Sequence, residues 1–242
     1  MIRFSSKSFI NFMQSTNATH LLNQLWQLIL ANLQKTLSLR CEIKYKEDGS
    51  PVTSADIWHE KLIMEFLYER IPQIKIISEE SYDGEDLPDK GWLAILDPID
   101  GTENFASGMK EWGVALSIWN GKEHFGSAIY LPELNDFLIS GQEIDKFKSR
   151  IIGLSSSYNN QIGNIIRESK ESRIIGCCVY NTFNVIKGSY KKFINPKGAY
   201  CWDLQASLML ALEHSCKIEL NGDKYYGKLL EPNKRHRISI SN

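Results

Sequence analysis

Two carboxylates three positions apart, Asp97 and Asp100, close an apolar run in WLAILDPIDGTENFASG (92–108), and a glycine and a hydroxyl, Gly101 and Thr102, follow at once. Taken alone, D-P-x-D has an ordinary local reading: a strand ends, Pro98 blocks further pairing, and Asp100 caps a helix starting at Gly101. The other acids change that reading. Glu79 and Glu80 end the neighbouring run IKIIS (74–78), Asp56 opens a helical segment after SPVTSA, and Asp203 follows Trp202 at the start of a distant one. Carboxylates gathered at the ends of adjacent strands repel one another unless a cation is present. Their hard oxygens suit Mg2+ or Mn2+ rather than zinc. Gly101 and Thr102 add backbone N–H groups that can face an anion and a hydroxyl within reach of a water. A cation to neutralise phosphate, a water made nucleophilic and a dipole to hold the phosphate are what metal-assisted hydrolysis of a phosphate ester requires.

Leu21, Leu22, Leu25, Leu28, Ile29 and Leu33 recur at a helical period and predict an amphipathic helix over roughly 17–37. A strand-like CEIKYK (41–46) leads into EDGSPVTSAD (47–56), where Asp48-Gly49 and Pro51 supply a turn. A second helix follows, with Ile57, Leu62, Ile63, Phe66 and Leu67 apolar and Pro72 ending it. IKIIS and WLAIL read as buried strands, each delivering acids at its C-terminal end. WGVALSIWN, HFGSAIYL and NDFLIS read as a meander, with Asn120-Gly121 as a hairpin turn. Further on, the pattern predicts helices near 158–170, 180–188 and 202–214, and strands near 173–176, 190–194, 217–220 and 236–240. The expected organisation is an N-terminal α+β lobe with an antiparallel sheet and the acidic motif (1–140) and a C-terminal α/β lobe (141–242), sharing one site.

The bulk properties exclude several classes. With 43% hydrophobic and 24% charged residues the 242-residue chain has the composition of a soluble globular protein. A formal net charge of -1 gives no global field toward a nucleic-acid polymer or an anionic membrane. The cluster Lys234, Arg235, His236, Arg237 reads as a solvated loop that could sit near an anionic ligand. Five cysteines without C-x-x-C spacing read as reduced thiols of a cytoplasmic protein. The N-terminus, with Arg3 and Lys7 and no apolar stretch behind them, is not read as a secretion signal, and the first long segment is too polar to span a membrane. The spacing is not the D-x-D-x-T of aspartyl-nucleophile phosphatases, no P-loop is present, and no metal-binding histidine pattern is found.

DPIDGT (97–102) resembles the D-P-[IL]-D-G-T signature of the inositol monophosphatase superfamily, and SPVTSAD, ISEES and CWD agree with it in order, over about 44–242. The resemblance implies an α+β/α/β fold, the layered αβαβα sandwich of the inositol monophosphatase and fructose-1,6-bisphosphatase type. It also implies a phosphomonoesterase that uses two or three Mg2+ ions, with Mn2+ as a substitute, that is sensitive to lithium, and that forms no covalent phosphoenzyme. By similarity, Glu79, Asp97 and the main-chain oxygen of Ile99 would hold one ion, and Asp97, Asp100 and Asp203 a second. Thr102 paired with Asp56 would handle the nucleophilic water beside the Glu79-bound ion, and the N–H groups of Gly101 and Thr102 would bind phosphate. Lys46 corresponds to a lysine near the site, Glu80 reads as a surface or outer acid, and Asp48 as a turn residue. The expected partner is a small phosphate ester, with a homodimer as a further expectation.

The chain departs from the family pattern after Asp203. Gln205 and Ser207 stand where small residues are usual, and Ser215-Cys216 where a Gly pair is usual, so the helix packing and the following turn should differ. Gly176, Cys177 and Cys178 fall where the substrate is usually contacted, as pocket residues or as buried small hydrophobes. None of Ile194, Asn195 and Pro196 is acidic, which weakens an inositol phosphate as substrate. KEDGSPVTSAD and SEES resemble the 3'(2'),5'-bisphosphate nucleotidase branch, whereas DGTENF resembles the inositol branch. The order of expectation is adenosine 3',5'-bisphosphate, then an inositol or other sugar phosphate. A metal-free binding protein on the same fold is the alternative of another class, and its mark would be a missing ligand or a missing Thr–Asp pair.

Overall fold

The computed structural model describes residues 6–156 and 160–242, with side chains from Asn17 onward. Arg3 and the first two positions of the helix expected near 158–170 lie outside the described residues.

Helix α1 (Ser6–Ser38) starts well before the segment its apolar period marks, and it buries Leu21, Leu22, Leu25, Trp26 and Ile29. The short strands β1 (Ile43–Tyr45) and β2 (Pro51–Thr53) form an antiparallel hairpin that leads into helix α2 (Ser54–Arg70). Ile71 caps α2 immediately before Pro72, as the sequence requires. Strands β3 (Lys75–Ser78), β4 (Trp92–Asp100), β5 (Gly113–Asn120), β6 (Glu123–Leu131) and β7 (Asp136–Ile139) then form a sheet in that order, with helix α3 (Thr102–Ala106) between β4 and β5.

This first sheet is mixed rather than antiparallel throughout, because β3 pairs parallel with β4. That is what two strands carrying acids at their C-terminal ends need in order to deliver them to one edge. At the β5–β6 hairpin the partner of Glu123 is Asn120, so the loop residues are Gly121 and Lys122, one position beyond the expected pair.

The second sheet has the order β12-β11-β13-β10-β8-β9. Its members are β8 (Ile152–Leu154), β9 (Ser172–Ile174), β10 (Lys192–Ala199), β11 (Lys217–Leu220), β12 (Asp223–Lys224) and β13 (His236–Ser241). β8 and β12 carry too few residues for a period to show. β10 runs well past its expected end at 194.

Helix α4 (Asn160–Glu168) makes the crossover between the parallel strands β8 and β9, and α5 (Cys178–Ile186) and α6 (Cys201–Glu213) lie between the sheets. α6 packs on β4, β5 and β6 on one side and on β11 on the other, and α1 and α2 cover the opposite face of the first sheet. The layers therefore run αβαβα. One apolar cluster joins α1 and α2 to the first sheet, and a second joins both sheets to α5 and α6. No described helix is long and apolar enough to cross a membrane.

Candidate active site

The geometry begins with an irregularity in β4. Asp97 pairs with Ala115 and Asp100 with Gly113, so three steps on β4 oppose two on β5. In a regular strand residues three apart face opposite sides, and one extra residue restores the parity. This bulge, between Asp97 and Asp100, lets both carboxylates act on the same site. The buried ring of His59, in α2, faces the Pro98 carbonyl through Nδ1 at 3.0 Å and braces the bulge from behind. Burial pushes the His59 pKa down to about 4, so the ring is neutral. As Nδ1 faces a carbonyl, it carries the proton. No local spacing marks this role for His59.

Carboxylate oxygens of Glu79, Asp97 and Asp203 all lie within 4.8 Å of one another. Asp97 is fully buried; one of its oxygens accepts the Ile99 N–H at 3.0 Å and the other has no hydrogen-bond partner among the described residues. Burial first, and then the charges of Glu79, Asp100 and Asp203, hold the Asp97 carboxyl well above its usual range. Asp203 is raised by burial, Asp100 and Glu79, against the Tyr200 N–H and the Arg235 charge. An orphaned buried oxygen amid mutually repelling carboxylates is a donor set that fits a divalent oxygen-seeking cation, and Glu79, Asp97 and Asp203 are the residues that would hold it.

Asp100 stands beside this trio and is committed to the start of α5. Its Oδ2 accepts the Cys177 thiol at 3.0 Å and the Val179 N–H at 2.5 Å. Burial lifts its pKa to about 7 against those hydrogen bonds. It does not cap α3; Gly101 occupies that position at φ 86°. A Cβ on Gly101 would come within 2.9 Å of the Cys177 Cβ, so glycine is required both by the backbone and by the approach of α5. The main-chain oxygen of Ile99 accepts the Thr102 hydroxyl at 3.0 Å.

Thr102 Oγ also lies 3.0 Å from Asp56 Oδ1, and the Thr53 N–H and hydroxyl hold the other Asp56 oxygen at 2.8 and 2.5 Å. Thr53 accepts the Ala55 N–H in return, forming a capping box that fixes Asp56 at the start of α2. The spacing T-S-A-D at 53–56 carries that signal in the sequence, although the reading above did not use Thr53.

Lys46 is neither free nor fully solvated: its Nζ donates to Glu79 and to Glu80 at 2.9 Å each. Burial lowers its pKa, but the two glutamate charges and hydrogen bonds more than reverse this. The Glu80 side chain is only 4% exposed, so of its two readings it is the outer acid of the site rather than a surface acid, since the lysine draws it inward. Burial and the Glu79 charge raise the Glu80 pKa to about 7. Asp48 accepts from the Ser50 N–H and hydroxyl, as a turn residue does.

A cavity of about 560 Å³ opens onto these groups and is lined by Lys46, Glu79, Asp100, Gly176, Cys177, Cys178 and Asp203 among others. It also admits Tyr82, Asn195, Tyr200, Trp202 and Arg235. Of these, Tyr82 and Tyr200 had no signal of their own, because sequence-distant loops bring them there, whereas Arg235 belongs to the basic cluster 234–237 that could sit near an anionic ligand.

The pattern of the inositol monophosphatase family matches residues 14–150. The chain belongs to that family. Among curated family relatives, the 3'(2'),5'-bisphosphate nucleotidase CysQ of Haemophilus influenzae is 27% identical over 139 residues, 54% of this chain and 51% of that one. The fructose-1,6-bisphosphatase/inositol-1-monophosphatase of Thermotoga maritima is 28% identical over 184 residues, 67% of this chain and 68% of that one. The chain thus aligns with about half the length of the CysQ relative. Among solved structures of the same fold, a lithium-chloride-soaked staphylococcal inositol monophosphatase-1 superposes with TM-score 0.77 at 19% identity, covering 94% of this chain and 90% of that one. An IMPase/NADP phosphatase with NADP and Ca2+ gives TM-score 0.78 at 19% identity, covering 94% and 91%.

Gln205 is buried and fully used: it donates to the Tyr225 hydroxyl at 3.0 Å and accepts the Leu230 N–H at 2.8 Å, tying the 225–230 segment to α6. The buried Ser207 hydroxyl has no partner among the described residues. The turn after α6 does not differ as expected. Ser215 takes φ 61°, and the Ser215 and Cys216 N–H groups bond Leu212 and Ala211, the closure a glycine ordinarily provides.

Proposed function

We propose that this protein is a Mg2+-dependent phosphomonoesterase acting on a small bisphosphorylated nucleotide, with adenosine 3',5'-bisphosphate as the first candidate. The observation that carries the reading is the Glu79–Asp97–Asp203 cluster with the Thr102–Asp56 pair beside it. All parts of the expected acid set are present, which argues against a metal-free binding protein on this fold. Bound Mg2+ would neutralise the phosphate and make a water nucleophilic at neutral pH.

The chain's own residues handle the proton and the geometry. Thr102 has one hydroxyl proton and two nearby acceptors, Asp56 and the Ile99 carbonyl, so its oxygen keeps a lone pair to accept a hydrogen bond from water. Burial raises the Asp56 pKa against its hydrogen bonds from Thr53 and Thr102, which makes it the stronger proton acceptor. Thr53 keeps that carboxylate aimed. Lys46 holds Glu79 in place, and the first N–H groups of α3, which lack intrahelical acceptors, face the phosphate.

The CysQ similarity supports the nucleotide choice, and inositol or another sugar phosphate is the second reading, supported by the inositol monophosphatase relatives. Five free cysteines are in keeping with a reducing, cytoplasmic location. The test is phosphate release from adenosine 3',5'-bisphosphate, inositol 1-phosphate and a sugar phosphate, with and without Mg2+. Mg2+-stimulated turnover led by the bisphosphate is expected, with inhibition by millimolar Li+. A folded protein inert toward the whole panel would overturn the enzyme reading.

A further inference from the structure

Two cations line the cavity, and they are in opposite states. Lys46 is tied to Glu79 and Glu80. Arg235, on the loop before β13, makes no salt bridge among the described residues, although its charge reaches Asp203 and Asp48. Its guanidinium is nonetheless held in place. It lies over the Tyr200 ring at 4.6 Å, and Nη1 donates to the Gly198 carbonyl at 3.3 Å.

Both supports are themselves fixed. Tyr200 stacks on Trp202 with ring centroids 4.9 Å apart, next to the cluster residue Asp203. Gly198, at φ 82°, lies so close to the backbone of His236 that a Cβ there would come within 2.8 Å of it. A guanidinium stacked on an aromatic ring and bonded through one nitrogen keeps its other N–H donors for a ligand, in a fork that suits a phosphate. The cavity is far larger than one phosphate group needs, and Arg235 lines it from the second lobe.

We propose that Arg235 is a specificity residue that binds a second phosphate on the substrate, remote from the one hydrolysed, so that the site selects phosphomonoesters whose alcohol carries another anion. This rests on the phosphomonoesterase reading above and deepens it. Tyr200 and Gly198 are positioning residues for that contact. No step of the hydrolysis passes through Arg235, which acts by holding the leaving part of the substrate.

The experiment compares kcat/KM for adenosine 3',5'-bisphosphate and adenosine 3'-monophosphate, which differ only in the remote phosphate, in the wild type and in Arg235→Gln, Arg235→Ala and Arg235→Lys. Arg235 is exposed, and circular dichroism checks that each variant is folded. The wild type should prefer the bisphosphate, and that preference should fall about 10- to 100-fold in Arg235→Gln and Arg235→Ala, as for loss of one charge-assisted hydrogen bond. Arg235→Lys should recover part of it. A wild-type preference that survives in both neutral variants overturns the role of Arg235 and leaves the bisphosphate reading standing. A wild type that turns over phosphomonoesters without preferring the bisphosphate overturns the substrate reading and the inference together.

Discussion

The two walls of the cavity are built on different terms. The first, from α2, β3 and β4, concentrates charge: Asp56, Glu79, Asp97 and Asp100 come from 45 consecutive residues, and the family pattern covers them all. The second, from α5, the end of β10, α6 and the loop before β13, contributes one acid, Asp203, together with Cys177, Cys178, Asn195, Tyr200 and Arg235. It keeps the fold of its relatives while lying beyond the family match at 150. The difference has a physical reason. Holding a cation and a water demands particular atoms in particular places, whereas enclosing the rest of a substrate can be done with many side chains. On the proposed reading, most of the chemistry falls to the first wall, joined by Asp203, and selectivity to the second.

The strongest challenge to that division is Asp97→Asn. Asp97 is the one fully buried member of the acid trio, and its loss should reduce turnover by more than the roughly 10- to 100-fold typical of residues that only support a metal ligand. Steady-state kinetics at saturating Mg2+ beside Glu79→Gln and Asp203→Asn checks this, and near-native turnover would remove Asp97 from the centre of the site. Next is Thr102→Ala, expected to lower kcat by about 10²- to 10⁴-fold with little change in KM, because only the hydroxyl that handles the water is lost. An unchanged kcat would remove Thr102 from the mechanism.

Charge on the first wall also predicts a pH-dependent response to metal. Asp97 and Asp203 are raised by burial and mutual repulsion, and Asp100 to about 7 by burial. A carboxyl raised in the folded state contributes stability below its unfolded pKa, and this is lost as pH rises through the folded value. The metal-free protein should therefore lose the Asp100 contribution between about pH 4 and pH 7, with Asp97 and Asp203 adding losses in the same direction, and the rise in Tm on adding Mg2+ should grow as pH rises through that interval. Thermal melts with and without Mg2+ would show it. A Mg2+ increment that is flat with pH would mean the acids are not coupled through the cation.

The smaller effects lie on the second wall's scaffold and should leave the acid trio alone. Gln205→Ala strips partners from the Tyr225 hydroxyl and the Leu230 N–H, and should destabilise the fold by about 1–3 kcal/mol in urea unfolding. Ser215→Gly should stabilise it by about 1 kcal/mol, since the left-handed backbone there disfavours a side chain. No gain from the glycine would show that Ser215 makes a compensating contact.

Much of the first wall was legible because its residues sit at fixed spacings in one stretch: D-P-I-D-G-T, the paired glutamates and S-P-V-T-S-A-D each announce an element end. The buried strands and the long helices were legible through their apolar periods. Less was readable where elements are two or three residues long, as in β12 and β8, or where a partner comes from far away in the chain. The sequence left Glu80 between a surface and an outer acid because nothing local says that Lys46, 34 residues earlier, will draw it in.

By itself, then, the sequence determined which groups exist to do chemistry and which segments end beside them, since period and turn residues act locally. The tertiary structure decided how those groups meet. It set the one-residue bulge that turns Asp97 and Asp100 to the same site, the His59 brace behind it, and the bond from Cys177 that draws Asp100 toward α5. It also brought Arg235 onto Tyr200. Each of these depends on the register or packing of elements distant in the chain, and no local spacing encodes that.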